Sequence, residues 1–231
     1  MTPDLLHRLN ALRAERRPVA VCTPLPDGAS PQRLVTADEP APPELADAVA
    51  ARLRSGRSGI ERVGDGEVFV AVHVPAPRLV LIGAVHISQA LARMAVLCDF
   101  DVTIVDPRTA FATPERFAGL RLEAAWPDEL DLALDPYTAL AAVTHDPKID
   151  DGPLAEALAA GCFYVGALGS RKTHGARVER LRPLLAADER VTDPEAALAR
   201  IDAPIGLDIG AATPAEIAVA VMGQVIAALR R

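Results

Sequence analysis

The order of apolar segments in the middle of this chain constrains its fold more than any other feature. Arg78–Gly83 is a continuous apolar run of strand length, and Ile87–Cys98 has the apolar spacing of a helix. Asp101–Val105 is a second short apolar run, closed by Asp106 and Pro107. A strand, a helix and a strand in direct succession build parallel sheets, so the pattern predicts a doubly wound α/β fold.

The C-terminal half continues this alternation. Further strands are predicted at 139–144, 163–167 and 205–209, and helices at 153–160, 172–185 and 214–230. Thr213 and Glu216 form a capping-box pattern around Pro214, which marks the start of the last helix. Half of the residues are hydrophobic but only 3% are aromatic, so the core is built from small aliphatic side chains, as suits an α/β protein.

The N-terminal part has a different pattern and predicts a small α+β domain. Helices are expected at 4–16 and 44–54, strands at 19–22 and 68–74, and mostly loop or a weak hairpin at 23–43. Pro75-Ala76-Pro77 marks the boundary, so we expect a small domain over residues 1–76 and a Rossmann-like domain over residues 77–231. So few strands bury their surface poorly alone, which favours a homodimer.

Charge and composition exclude several classes of protein. The formal net charge is −7 and the 24 Lys and Arg residues are spread along the chain, which argues against a nucleic-acid partner. Neither a long apolar run nor the apolar core of a signal peptide is found, so we expect a cytoplasmic protein that does not enter membranes. Cys22, Cys98 and Cys162 fit neither a disulfide framework nor a zinc knuckle, and the last two are expected to be buried.

The loop after the first strand of this unit stands where a dinucleotide-binding fingerprint belongs. That fingerprint needs three glycines, and here only Gly83 is present, with Val85 and Ser88 at the other two positions. Asp106 could accept a hydrogen bond from a ribose hydroxyl, or it could cap the turn at Pro107. An NAD(P)-dependent oxidoreductase, with Asp106 on the ribose and His145 as acid or base, is therefore an alternative that the incomplete fingerprint disfavours.

Polar residues follow another predicted strand, at the edge where open α/β sheets bind ligands. Thr144, His145 and Asp146 end that strand, and Asp150 and Asp151 follow them. His145 is the best candidate there for a polar or acid/base group, with a structural role as the equal alternative. A metal site is not indicated, since no second His or Cys lies at ligand spacing.

Two glycine-bearing stretches carry the strongest indication of a ligand. The first contains Gly166, Gly169, Ser170, Arg171 and Lys172. Cations at a helix N-terminus oppose the helix dipole, so they favour a bound anion there; an exposed basic turn is the alternative. The second contains Gly206, Asp208 and Gly210. Asp208 would need a partner if it were buried in the predicted strand, and the alternatives are packing glycines and a solvent-facing Asp.

These motifs together resemble the XdhC/CoxI family. The resemblance covers residues 78–230 and rests on 83–91, 144–146, 163–174, 203–210 and 213–217. Members of that family are xanthine dehydrogenase accessory factors, which bind and protect molybdenum cofactor, support its sulfuration by a cysteine desulfurase and pass it to a molybdenum hydroxylase. The resemblance therefore implies a chaperone for molybdopterin rather than an enzyme. It implies that the cofactor's pyranopterin and phosphate are held by the loops at 166–174 and 206–210.

Two departures from the family pattern bear on this expectation. The family has Gly-Ala-Gly-His-x-Gly at the first loop, where this chain keeps His86 but replaces the later glycines. The N-terminal domain is also shortened: 17–23 resembles its opening, and Cys22 is the only substitute for the cysteine motifs that normally follow. A family member that has lost its ligand and serves as an interaction subunit is the third alternative. The expected cofactor-binding residues are Gly83, His86, Asp106, His145, Asp146, Gly166, Gly169, Ser170, Arg171, Lys172, Gly206, Asp208 and Gly210, with no metal ligand assigned.

Overall fold

A computed structural model describes residues 1–25 and 31–230. These residues form two compact units, Met1–Pro75 and Ala76–Leu229. Residues 26–30, which belong to the segment expected to be mostly loop, lie outside the described residues.

The first unit is a four-stranded antiparallel sheet with two helices. Its elements are α1 (Pro3–Ala14), β1 (Val19–Leu25), β2 (Arg33–Val35), α2 (Pro43–Ser55), β3 (Gly59–Val63) and β4 (Gly66–His73). The strand order is β2-β1-β4-β3. Strand β3 is absent from the sequence-based prediction because its two apolar residues, Ile60 and Val63, flank a charged pair and do not form an apolar run.

Both faces of strand β1 are buried, because a helix covers each face of the sheet. Val19 and Val21 belong to one apolar cluster with Leu9 of α1. Ala20 and Cys22 face the other way and pack in a cluster with residues of α2. The sheet therefore has its own core on both sides, so poor burial within this unit is not a reason to expect a dimer.

The second unit is a six-stranded parallel sheet with helices on both faces, which confirms the doubly wound α/β fold. Its strands are β5 (Arg78–Ile82), β6 (Asp101–Val105), β7 (Arg121–Glu123), β8 (Thr138–Ala142), β9 (Tyr164–Ala167) and β10 (Ile201–Asp202). Its helices are α3 (His86–Leu97), α4 (Pro147–Ala159), α5 (Arg171–Ala186), α6 (Pro194–Leu198) and α7 (Pro214–Leu229), with a short 3-10 helix at Pro127–Glu129. The strand order is β10-β9-β8-β5-β6-β7.

Alternate residues of the central strands point into two separate cores. Leu79 and Leu81 of β5 face the side of α3 and α7. Val80 and Ile82 face the side of α4, α5 and α6. A strand that is buried on both faces is apolar at every position, which explains why β5 is evident as a continuous run in the sequence.

The structure corrects three expectations from the sequence. No strand forms at 205–209: Gly206 has φ +96°, and the Leu207 amide donates to the carbonyl of Ala220 in α7 at 3.1 Å. Helix α4 begins at Pro147 rather than Pro153, because the Asp146 side chain accepts the Lys148 amide and caps the helix. Cys98 is exposed at the end of α3, whereas Cys162 is buried as expected.

Candidate functional site

The carboxyl ends of β5 and β8 meet at the point where the strand order of the parallel sheet reverses. Such a point is where open α/β sheets bind ligands. Gly83 follows β5 with φ +117°, and a Cβ built on it would lie 2.7 Å from Cγ2 of Thr144, which follows β8. The two loops are therefore in direct contact, and only glycine fits at position 83.

Asp106, after β6, is committed to hydrogen bonds within the protein. Its Oδ2 accepts the Ala84 amide and Arg108 Nη2, each at 2.7 Å, and its Oδ1 accepts the Arg108 amide and Nε, each at 2.9 Å. Burial alone would raise the pKa of this carboxyl, but the bonds from Arg108 and Ala84 outweigh burial and hold the pKa below its usual range. Asp106 thus accepts a hydrogen bond from the Ala84 amide of the fingerprint loop, and it also caps the turn that contains Pro107.

The side chain at the third glycine position of the fingerprint also closes the first loop. Ser88 is fully buried, and its hydroxyl donates to the Gly83 carbonyl at 2.5 Å. This hydrogen bond ties the loop after β5 to the first turn of α3. The Gly83 carbonyl and the Ala84 amide of the loop after β5 are thus both hydrogen-bonded within the protein, to Ser88 and Asp106.

The loop after β8 is organised around the buried carboxylate of Asp150. Thr144 Oγ1 donates to Oδ1 at 2.7 Å, and the His145 amide donates to Oδ2 at 3.1 Å. These bonds hold His145 at φ +67°, a conformation that a non-glycine residue seldom adopts, with its side chain exposed. Burial raises the pKa of Asp150 to about 6, although Thr144, His145 and the nearby Arg177 oppose the increase.

The loop after β9 leads directly into helix α5. Gly169 has φ +132°, and Ser170 caps the helix by accepting the Thr173 amide at 3.2 Å. Arg171 and Lys172 follow in the exposed first turn. Their backbone N–H groups belong to the helix positions that precede the first intrahelical bonds, so this end of α5 presents donors together with two cationic side chains.

Arg177 lies beneath this turn, on the inner face of α5. It is 2% exposed, and its Nη2 donates to the Leu168 carbonyl at 2.9 Å. Its Nε and Nη1 are buried and have no hydrogen-bond partner among the described residues. Burial lowers the pKa of this guanidinium, while the charges of Asp150 and Asp151 oppose the decrease.

Charged groups link these loops across the edge of the sheet. Arg108 is attracted to Asp146 and Asp150 as well as to Asp106. Arg177 is attracted to Asp150 and Asp151, but Asp151 is itself bound by Arg180 through bonds of 2.5 and 3.1 Å. The structure therefore brings together, at one edge of the sheet, the expected residues Gly83, Asp106, His145, Asp146, Gly169, Ser170, Arg171 and Lys172.

The other expected glycine positions have packing roles or are exposed. A Cβ on Gly166 would lie 2.7 Å from the Ile205 side chain, and one on Gly206 would lie 3.1 Å from Ala220 of α7. The Gly206 amide donates to Gln224 Oε1 at 2.7 Å, and Gln224 also accepts from the buried Tyr164 hydroxyl. Asp208 and Gly210 are exposed in the loop that precedes α7.

His86 faces a different feature from the other candidates. It is exposed as the first residue of α3, and it lines a groove of about 420 Å³ with Gln89, Arg93 and residues 213–215, which lead into α7. Two helix N-termini converge at this groove. His86 therefore belongs to the surface between α3 and α7.

Among the described residues, no group of three or more His, Cys, Asp or Glu side chains lies close enough together to hold a metal ion. Burial raises the pKa of Cys22, and it raises that of Cys162 to about 12. Cys22 packs in the core of the first unit.

Within the described ranges, no helix has the length and apolarity that a membrane span requires.

Sequence reasoning missed Arg177 as a site residue, although the chain carries a signal for it. Arg177, Leu181 and Leu185 are four residues apart and form the buried stripe of α5. An arginine at one position of an apolar stripe is unusual, because buried charges need a partner. Arg108, two residues after Asp106, was missed because nothing in the sequence shows that its side chain folds back.

Comparison with known proteins identifies relatives of this chain. The model of the XdhC Rossmann domain family matches residues 79–225. The chain is 33% identical over 184 residues to Uncharacterized protein YqeB of Escherichia coli K12, which covers 75% of this chain and 32% of that protein. It is 29% identical over 167 residues to a probable subunit of xanthine dehydrogenase from Bacillus subtilis 168, covering 71% of this chain and 46% of that protein.

A further relative and a solved structure agree with these matches. Over 151 residues the chain is 28% identical to the molybdenum cofactor insertion chaperone PaoD of Escherichia coli K12, covering 65% of this chain and 40% of PaoD. The chain thus spans less than half the length of these curated relatives. A crystal structure of a xanthine dehydrogenase from Bacillus halodurans superposes with a TM-score of 0.65 at 20% identity, covering 98% of this chain and 67% of that one, and shows the same fold.

Proposed function

The chain belongs to the XdhC family, and from this premise we propose that it binds molybdenum cofactor and assists its insertion into a molybdenum hydroxylase of the xanthine dehydrogenase type. The family match covers most of the second unit. Two relatives carry names that point the same way: one is named for xanthine dehydrogenase, the other for cofactor insertion. In this role the cofactor is cargo, and the protein holds it without turning it over.

The start of α5 is the part of the edge that fits such a cargo best. It offers backbone donors, the cationic side chains of Arg171 and Lys172, and a glycine with φ +132° at position 169. This single observation supports the proposal most strongly, because a phosphate-bearing molecule needs donors and positive charge at one place. His145 and Asp146, on the loop after β8, would contact the polar edge of the pterin.

The β5 loop is a poorer site for a phosphate than the start of α5. Its Ala84 amide is already bonded to Asp106, and Arg108 covers the same carboxylate. This arrangement disfavours the alternative of a nicotinamide-dependent oxidoreductase, which needs that acid free to bind a ribose. Asp208 and Gly210, exposed beside α7, would contribute to the cofactor site only from its outer rim.

The proposal is tested by incubating the protein with molybdenum cofactor, removing unbound material by gel filtration and measuring molybdenum and pterin in the protein fraction. We expect about one pterin per chain for the native protein and a strong loss for Gly169→Val. Gly119→Val is the matched control, since Gly119 also has positive φ and no atom within 4 Å of its added Cβ in the described structure. Asp208→Ala tests the outer rim.

Two results would contradict the proposed function. One is a native protein that retains neither molybdenum nor pterin, which would favour an interaction subunit without a ligand. The other is saturable binding of NADH, followed by its fluorescence, that is lost in Asp106→Asn, which would favour an oxidoreductase. Activation of a cofactor-free molybdenum hydroxylase by the loaded protein would complete the positive case.

Assembly and location are further parts of the proposal. We expect a homodimer, and the exposed cross-strand pair Ile60 and Phe69 on β3 and β4 is a surface that a second copy could cover. Light scattering after gel filtration, with Phe69→Glu as the disrupting variant, measures this. A cysteine desulfurase partner and a cytoplasmic location follow from the family role and are tested by co-purification and by fractionation.

A further inference from the structure

The inner face of α5 holds a positive charge whose hydrogen bonds the protein does not complete. Arg177 is 2% exposed, and one of its nitrogens, Nη2, bonds the Leu168 carbonyl. The other two, Nε and Nη1, are buried without an acceptor in the ranges 1–25 and 31–230, and we call them the Arg177 donors. A buried donor that loses its partner costs about 1–3 kcal/mol, and more when it is charged. Such a cost indicates an acceptor from outside the described protein.

The guanidinium lies directly under the turn that opens α5. Side chains of a helix lean toward its N-terminus, so Arg177 reaches back past one and a half turns to the Leu168 carbonyl. Its Nη2 is 3.9 Å from the point where a Cβ would stand on Gly169. Because Gly169 carries no side chain, the guanidinium approaches this turn closely, beside the Thr173 side chain, whose Cβ and Cγ2 lie 3.3 Å from the same point.

A second nitrogen at the same turn is in a similar state. Nδ1 of His174 is buried and has no hydrogen-bond partner within the described structure. Burial and the charge of Arg177 both lower the pKa of this imidazole, which keeps it from adding a further positive charge beside the guanidinium. A neutral imidazole can donate a hydrogen bond through one ring nitrogen.

The acids nearest to Arg177 are bonded to other groups. Asp151 receives two hydrogen bonds from Arg180. Asp150 accepts from Thr144 and from the His145 amide. Both carboxylates attract Arg177 through space, but neither forms a hydrogen bond with the Arg177 donors. The guanidinium therefore keeps unused donors on Nε and Nη1, and the second hydrogen of Nη2 lies beside one of them, so a parallel pair of N–H groups can still bind two oxygen atoms.

We propose that Arg177 is the anion-recognising residue of this site and that its ligand is a phosphate group carried by a larger molecule. A planar guanidinium binds two phosphate oxygens at once, here through the second hydrogen of Nη2 and one of the two Arg177 donors, and the first amides of α5 would bind a third. The identity of the carrier rests on the proposed function, whereas recognition of phosphate by Arg177 does not.

Inorganic phosphate is the first probe, titrated calorimetrically into the full chain with chloride controls at equal ionic strength. We expect saturable binding, and Arg177→Met lowers the affinity roughly 10- to 100-fold because it removes hydrogen bonds to a charged group. Arg180→Met is the matched control: Arg180 is on the same helix but is bonded to Asp151, so phosphate affinity is retained. Arg177→Lys keeps the charge without the fork and gives an intermediate loss.

A measurement on the native protein keeps the test decisive even if a variant folds poorly. The Nε–H resonance of Arg177, assigned by its loss in Arg177→Lys, shifts on addition of phosphate and not on addition of chloride. Absence of saturable phosphate binding at millimolar concentrations, or binding that is unchanged in a folded Arg177→Met protein, overturns the assignment. In that case ordered water, rather than an anion, completes the Arg177 donors.

Two phosphate-bearing molecules, molybdopterin and AMP, distinguish whether the bound phosphate belongs to a pterin or to a nucleotide. Tighter binding of molybdopterin than of inorganic phosphate, dependent on Arg177, supports a pterin phosphate; the same preference for AMP supports a nucleotide phosphate. Phosphate binding without pterin retention would leave Arg177 assigned and remove the proposed function. Pterin retention in a folded Arg177→Met protein that equals the native value would keep the proposed function and remove Arg177 from it.

Discussion

Replacing Asp150 by asparagine tests whether burial or the neighbouring positive charge dominates the pKa of this carboxyl, which organises the loop after β8. Asp150 is 1% exposed, and its pKa is raised from 3.8 to about 6. The shift is about two units, and each unit corresponds to about 1.4 kcal/mol, so the ionised carboxylate costs about 3 kcal/mol of folding free energy. Because the folded pKa is the higher one, the folded state binds more protons between about pH 4 and pH 6, and stability falls as the pH rises through that window.

We therefore expect the stability of Asp150→Asn, relative to the native protein, to increase by about 3 kcal/mol between about pH 4 and pH 7. Urea unfolding of both proteins at several pH values measures this difference. Trp126 is the only tryptophan in the chain and lies in the second unit, so its fluorescence reports unfolding of that unit alone. Taking the difference between the two proteins removes the contributions of groups that the substitution does not affect.

Asp188→Asn provides a control with the opposite cause. Bonds from Arg190 lower the pKa of Asp188 to about 2, so its pH-dependent contribution lies in more acidic solution. The stability difference for Asp188→Asn should therefore be flat between about pH 5 and pH 7. A flat difference for Asp150→Asn as well would refute the reasoning from burial. A difference of the opposite sign would mean that Arg177 and the bonds from Thr144 and His145 outweigh desolvation.

Three other expectations are testable with the same protein. Gly83→Ala should destabilise the second unit by at least about 2 kcal/mol, since it combines positive φ with a 2.7 Å contact to Thr144. The control Gly152→Ala, in the interior of α4, should be neutral or stabilising by about 0.5–1 kcal/mol. Equal urea midpoints for the two variants would contradict the close contact at Gly83. Arg108→Ala should cost about 3 kcal/mol at neutral pH because Asp106 stays buried with fewer bonds, and an unchanged unfolding free energy would show that the pair contributes nothing. Of the three cysteines, only the exposed Cys98 should react with a thiol reagent in the native protein, and all three should react after unfolding. Cys98→Ser should abolish the native reaction. Fast native labelling of that variant would show that Cys22 or Cys162 is accessible.

The central strands were predictable from the sequence, and the short edge strands were not. Strands β5, β8 and β9 are buried at nearly every position and are evident as apolar runs, and β6 is recognisable by its three apolar residues although Asp101 is exposed. Strand β7 has only three residues, Arg121–Glu123, and β10 has two, so neither gives a periodic signal. The predicted strand at 205–209 failed because its apolar residues pack against α7 as a loop, and apolar composition does not distinguish these two ways of burial.

The candidate site was predictable where it depends on chain position and not where it depends on side-chain direction. Gly83, His145 and Gly169 follow the ends of strands, and parallel strands place their carboxyl ends at one edge of the sheet. Whether a carboxylate points outward to a ligand or back into the fold is decided by side-chain rotation. Asp106 illustrates this limit: the sequence left open a ribose contact or a turn cap, and the structure shows that the carboxylate caps the turn and also bonds the loop that a nucleotide would use.

The balance of hydrogen bonds supports placing the proposed ligand site at β9 rather than at β5. At β5, the Ala84 amide and the Gly83 carbonyl are bonded to Asp106 and Ser88, so a ligand there would have to displace internal bonds. At β9, the Arg177 donors have no partner among the described residues, so a ligand that bonds them would not displace an internal bond of those two nitrogens. Net affinity depends on this difference, because each hydrogen bond contributes only about 1 kcal/mol when it replaces another but costs more when a buried group is left without a partner. Under the proposed function, the anion site would therefore lie at β9, two strands along the sheet from the incomplete fingerprint at β5.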